Sequence, residues 1–384
     1  HSPSGSPGMK FLTNATLALT PLSPIHIGCG EDFEPTNYVI EDGILYGFDP
    51  TERVVAAEVT DNGLVLWRRR PDDTVERSTR AVSPWLLLTS PDDAPSGAEV
   101  MEMEGEGFRY LCVLRRWDAY RTARMDLLDR HAEHIACAGP IRAALSMSGV
   151  TLFKSMSLRD ARRMQVDIET AGLTPERRED RILLIAVGDN RGLLTALEGP
   201  EPDMLRQFID LVQERDPDII EGHNIHGFDL PYIAARCRLH GIRPLLGRDG
   251  AEMEAGYRRT FAIGGISRPL VPWHIGGRHV IDTFLAVQRF DWARGALTGY
   301  GLKQVARTLG IAADDRIELP REQMAALYRT DRERVVTYAL QDIVETARLA
   351  DLVTATEFYQ TQMVPDSYGS SAISGTGEKI NAIF

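Results

Sequence analysis

The chain is expected to fold as an α/β protein, a mixed sheet flanked by helices and preceded by a β-rich N-terminal region. Three observations predict this. Residues 10–90 alternate short β-prone runs with turn signals. From about residue 160 the pattern changes to strands interleaved with helices of apolar periodicity. The 384 residues, 43% hydrophobic and 26% charged, suffice for about two or three ordinary globular domains.

The opening "HSPSGSPGMK" is rich in Ser, Pro and Gly, and residues 1–8 are read as a disordered remnant outside the fold. The runs "FLTNATLAL", "NYVIEDGILYGFD", "RVVAAEV", "GLVLWRRR" and "PWLLLTSP" then read as strands. The pairs Asp42-Gly43 and Asn62-Gly63 mark hairpin turns. The acidic, Pro/Gly/Ser-rich stretch 89–107 reads as a loop. A strand "FRYLCVL" and a helical run near 117–135 follow, with at least one helix pair closing the region 9–150. Beyond it, "MQVDIET", "DRILLIAVGD" and "RGLLTALEG" read as three successive strands. "EPDMLRQFIDLVQERDPD" is a helix beginning at an acid-capped turn, and "IIEGHN" is a short buried strand. "DLPYIAARCRLHG" is a helix with Pro near its start and Gly just past its end. "YGLKQVARTLG", "PREQMAALYRT" and "DRERVVTYALQDIVETARLADLV" are later helices.

No apolar run approaches the roughly 20 residues of a membrane-spanning helix, and there is no secretory-type leader. Cys29, Cys112, Cys137 and Cys237 are far apart and form no C-x-x-C pair, which fits reduced thiols in a cytoplasmic protein. The net charge of −12 provides no overall attraction to nucleic acid, although local arginine density in 114–124 and 158–165 leaves room for it.

Three acidic segments stand out. In "MQVDIET", Asp167 and Glu169 lie two apart on a strand, so both side chains share one face while Ile168 faces the core. In "EGHNIHGFDLPYI", Asp229 stands at a strand-to-helix junction, where it reads equally as an N-cap. Asn224 and Phe228 beside it read as a turn residue and a core aromatic. In "YALQDIVETARL", Tyr338 and Asp342 are four apart on one helix face. Converging carboxylates repel unless cations neutralise them. Oxygen-only donors suit Mg²⁺ or Mn²⁺, and two such ions can hold the attacking and leaving oxygens of a phosphoryl displacement.

The ordered set D-x-E, N-x-x-x-F-D and Y-x-x-x-D resembles the Exo I, Exo II and Exo III motifs of DEDDy-class 3′–5′ exonucleases. It most resembles the proofreading exonuclease domain of family B DNA polymerases. "TLFKSMSLRDARRMQVDIET", "GGRHVIDTF" and "YGLKQVARTLG" add to the likeness, which runs from about residue 44 to the end. The resemblance implies a ribonuclease-H-like fold, an exonuclease domain over 151–357, and a family-B-type N-terminal domain over 9–150. The palm's carboxylate motifs are absent, and 358–384 would lead toward a palm. It further implies two divalent cations, Mg²⁺ or Mn²⁺. Asp167, Glu169 and Asp342 would hold the ion carrying the attacking water, and Asp167 and Asp229 the second. Tyr338 would orient the water, and Asn224 and Phe228 would shape the pocket for the terminal nucleotide. Lys303 would contact a phosphate, its alternative being an exposed helix lysine. Asp282 would be a supporting acid rather than a ligand, and His223 and His226 structural or groove-lining. The expected substrate is single-stranded DNA, with RNA as an alternative. A stretch at 17–50 containing "PIHIGCG" also resembles RAMP-type subunits of type III CRISPR complexes, which implies a CRISPR-linked or polymerase-associated partner. A catalytically retired nucleic-acid-binding module is the contrasting expectation.

Overall fold

The computed structural model describes residues 53–60, 63–105, 107–136, 139–263 and 265–383, with the short paired strands Thr20–Pro21 and Tyr38–Val39. The Asp42-Gly43 turn, Cys29, Cys137 and nearly all of the 17–50 stretch lie outside these residues.

The centre of the molecule is a five-stranded mixed sheet. Its strand order is Leu194–Glu198, Ile182–Asp189, Arg163–Thr170, Ile219–Gly222 and His279–Asp282. The first three strands run antiparallel to one another, and the last two join the third in parallel. Parallel pairing requires crossovers, which the helices Glu201–Arg215 and Asp229–Leu239 contribute to. Those two helices cover one sheet face, burying Met204, Phe208, Val212, Leu230 and Ile233 against Met164, Val166 and Ile168. The helix Arg332–Val353 covers the other face, packing Val335, Ala339 and Ile343 on Leu184 and Ala186.

Ahead of this layer lie two small antiparallel sheets. Val54–Thr60, Gly63–Arg69 and Val75–Arg80 form one, with Thr60 opposite Gly63 across the expected hairpin. Glu99–Glu102, Tyr110–Val113, Trp85–Leu88 and His134–Ala136 form the other. The expected helix pair is present as Trp117–Asp129 and Pro140–Ser148. The apolar core of the first small sheet is continuous with the ends of the chain: Val54, Leu66, Leu152, Phe153, Ile281, Phe358 and Tyr368 share one cluster. The helices Ala355–Thr361 and Tyr368–Ile373 therefore pack back on the N-terminal strands.

Two expectations are corrected. The 89–107 loop contains a strand, Glu99–Glu102, whose side chains are all exposed, so ladder pairing and the Glu102–Arg109 ion pair hold it rather than burial. The helix at Glu201 has no side-chain cap at Pro200. Glu201 instead points inward, accepting the Ile182 N–H at 2.7 Å and pairing with Arg236 at 2.6 Å. Among the described residues no helix is long and apolar enough to cross a membrane.

Candidate active site

The central strand delivers the first two acids. Asp167 lies opposite Ala186 and Glu169 opposite Leu184, so both face the side covered by the Arg332–Val353 helix. Ile168, 4% exposed, is buried on the other side. The register shifts between Glu169 and Thr170, ending the regular ladder at the acids. Tyr338 and Asp342 sit one helical turn apart on that covering helix, both buried, and their side chains hydrogen-bond. Carboxylate oxygens of Asp167, Glu169 and Asp342 all fall within 4.8 Å of one another.

Asp229 arrives from the other layer. It is the first residue of its helix rather than the cap residue, and Phe228 at the cap position makes no side-chain cap bond. The Asp229 carboxylate instead accepts the Ile168 N–H at 3.2 Å, which ties it to the strand between the two acids. The preceding loop is compressed: a Cβ on Gly222 would meet Ile225 at 2.8 Å. Asn224 turns the chain with φ of +67° and is exposed. Asp282 pins this loop, accepting the N–H groups of Asn224 at 2.8 Å and His226 at 3.3 Å while capping its own helix at Phe284. His223 spans Thr283 and the Tyr300 carbonyl, and His226 accepts the Trp273 N–H, so both serve the loop's structure.

Burial and mutual repulsion dominate the electrostatics. Burial first, then Asp229, Glu169 and Asp342, push the Asp167 carboxyl far above the usual carboxylate range. Burial and Asp342 raise Glu169 to about 8. Burial raises Asp229 to about 7, Asp342 to about 6 and Asp282 to about 6. Oxygen-only donors this close, each disfavouring its neighbour's charge, fit a hard divalent cation.

Cations border the cluster. Lys303 is half-buried, its ammonium 4.5 Å from the centre of the Tyr338 ring and near Asp342, Glu169 and Asp167. Two arginines escaped the sequence reading. Arg316 pairs with Asp342 and, at 2.6 Å, with Glu345. Arg321 lies 5.1 Å from the centre of the Phe228 ring. Arg316 comes from irregular chain, and Arg321 from the 3-10 turn Arg321–Gln323 at the front of the run read as a helix, where the pattern marks neither as part of the site. The one signal available was Glu345, an acid three residues after Asp342 on the buried face, in need of a cation.

A mixed sheet thus carries acids that converge from both of its faces. Residues 196–303 match the family model described as DNA polymerase family B, exonuclease domain, a span containing Asn224, Phe228, Asp229, Asp282 and Lys303. The chain carries an exonuclease domain of that family. It is 28% identical over 211 residues to a DNA polymerase of Archaeoglobus fulgidus, covering 54% of this chain and 24% of the relative. It is 31% identical over 191 residues to the DNA polymerase delta catalytic subunit of Dictyostelium discoideum, covering 48% of this chain and 17% of that one. The chain thus spans a quarter or less of these relatives' length. The family B DNA polymerase of Pyrobaculum calidifontis has the same fold, with a TM-score of 0.61 at 17% identity over 85% of this chain and 48% of that one.

Proposed function

We propose that this domain is a metal-dependent 3′–5′ exonuclease of the DEDDy class, removing nucleotides from single-stranded DNA ends. The observation that carries the reading is the meeting of Asp167, Glu169 and Asp342 within 4.8 Å, with Asp229 against the same strand. Two divalent cations, Mg²⁺ or Mn²⁺, would activate a water and neutralise the leaving oxygen when bound. Asp167, Glu169 and Asp342 would hold one, and Asp167 with Asp229 the other. Tyr338, anchored by Asp342, orients the attacking water through its hydroxyl. Burial and the surrounding carboxylates raise the Tyr338 phenol well above its ordinary value, so it stays a hydrogen-bond donor. Lys303 meets the scissile phosphate, while Asn224 and Phe228 border the terminal nucleotide.

The relatives named above are DNA polymerases, which favours DNA as the substrate; RNA and a CRISPR-linked partner gain no support from them. We further propose domain limits of 9–150, 151–357 and 358–384, and a reducing, cytoplasmic setting suited to the buried free thiols Cys112 and Cys237.

The test is digestion of 5′-labelled single-stranded DNA and RNA in Mn²⁺, Mg²⁺ or EDTA, with wild type and Asp167→Ala. A metal-dependent ladder shortening from the 3′ end is expected, with on the order of a thousandfold loss in the variant. Binding without shortening in any metal would establish the retired module instead.

A further inference from the structure

We propose that Arg321 is a second phosphate-binding cation of this site, engaging the backbone of the 3′-terminal dinucleotide on the flank opposite Lys303. The inference rests on the exonuclease reading above.

Arg321 opens a 3-10 turn, Arg321–Gln323, held to the core by buried Leu319 and Met324 on either side. Its side chain is exposed and its guanidinium rests on the Phe228 ring, at the start of the helix that bears Asp229. Among the described residues it forms no ion pair, although it is close enough to Asp167, Glu169 and Asp229 to oppose the rise that burial and repulsion impose on all three.

Arg316 provides the contrast. Its side chain is 3% exposed and each of its three nitrogens is already engaged, by Glu345, the Ile317 carbonyl and Asp342, so its buried guanidinium is committed within the fold. Arg321 retains its planar fork of donors, a geometry matched to phosphate. A ring beneath a guanidinium fixes that plane without consuming its N–H groups.

The placement also solves a problem the acids create. Four clustered carboxylates repel a polyanionic strand, and a cation on one flank leaves the other unshielded. Lys303 stands on the Tyr338 flank and Arg321 on the Phe228 flank. A strand whose end lies across the acids meets a positive charge on each side.

The experiment measures binding by fluorescence anisotropy in EDTA, where no cleavage intervenes. The probes are all-phosphate single-stranded DNA and strands with a neutral methylphosphonate at the last or the penultimate linkage. Arg321→Gln is expected to bind the all-phosphate strand about tenfold more weakly, the effect of one charge-assisted contact. Neutralising the contacted linkage should weaken wild type by a similar factor and leave Arg321→Gln unmoved, while Arg321→Lys recovers part of the affinity. In saturating Mn²⁺ the Arg321→Gln variant should show a raised KM with kcat within about twofold of wild type. Equal affinities for wild type and Arg321→Gln, or equal weakening of both proteins by each methylphosphonate, would overturn the proposal. Wild-type protein that shows this coupling yet degrades no strand in Mn²⁺ would overturn the exonuclease reading and not the role of Arg321.

Discussion

Two parts of this molecule bury aspartates in opposite ways. Following the Glu201–Arg215 helix, Asp216 and Asp218 are enclosed by Arg69, Arg248 and Arg278. Asp218 and Arg69 are fully buried, and paired at 2.8 Å. Despite burial, the arginines hold both carboxyls below their ordinary range. At the other site, Asp167, Glu169, Asp229 and Asp342 are pushed upward, by burial above all, with neighbouring acids adding to it. The first group brings its counter-ions within the fold, and its work is to join the Gly63–Arg69 strand to the central layer. The second is only partly neutralised, by Arg316, Lys303 and Arg321. Buried acids with matched arginines read as architecture; buried acids without them read as a place for a cation from solution.

The comparison breaks most readily at the arginine knot. Asp218→Ala leaves buried guanidiniums without their shared carboxylate and should cost about 3–5 kcal/mol, read as a lower urea midpoint at unchanged slope. A cost below about 1 kcal/mol would mean the knot carries little of the fold. Arg316→Met, which strands Glu345 and half of Asp342's pairing, should cost about 1–3 kcal/mol in the same assay. Asp167→Asn should move the other way. Removing one like charge from the metal-free cluster should stabilise it by about 1–2 kcal/mol at neutral pH, measured without divalent ions.

The pH dependence separates the two kinds of buried group in another way. Glu169 at about 8 lies above its unfolded value of roughly 4.3. Its stabilising neutral form is complete below that unfolded value and lost as pH rises through about 8. His223, His226 and His279, which burial lowers to about 4, oppose this. The unfolded chain binds more protons there, so they remove stability as pH falls from about 6.5 toward 4. The difference between wild type and Glu169→Gln isolates the first term. In metal-free protein that difference should widen from pH 5 to about 8, and unchanged spacing across the range would show that Glu169 is not raised.

Much of this site was legible because strand and helix periods are local. D-x-E on a strand and Y-x-x-x-D on a helix each place two groups on one face whatever the rest of the chain does. The central strands were legible for the same reason, as continuous apolar runs. What escaped depended on distant partners. Arg316 lies in irregular chain and Arg321 opens a short 3-10 turn, and both acquire meaning only against Glu345 and Phe228. Glu201 read only as part of an acid-capped turn, and only the fold brings Arg236 to it. The ribbon Arg259–Ile263 with Ile266–Leu270 passed unnoticed in sequence, although its burial alternates about Phe261 and its ladder supplies the order.

Under the proposed function, the partly neutralised acids bind a divalent cation and the arginine-bound acids do not. Calorimetric titration of Mn²⁺ into metal-free wild type, Asp167→Asn and Asp216→Asn tests it directly. Saturable binding by wild type and Asp216→Asn, lost or severely weakened in Asp167→Asn, is the expected result. Absence of binding by wild type, or equal binding by Asp167→Asn, would contradict it.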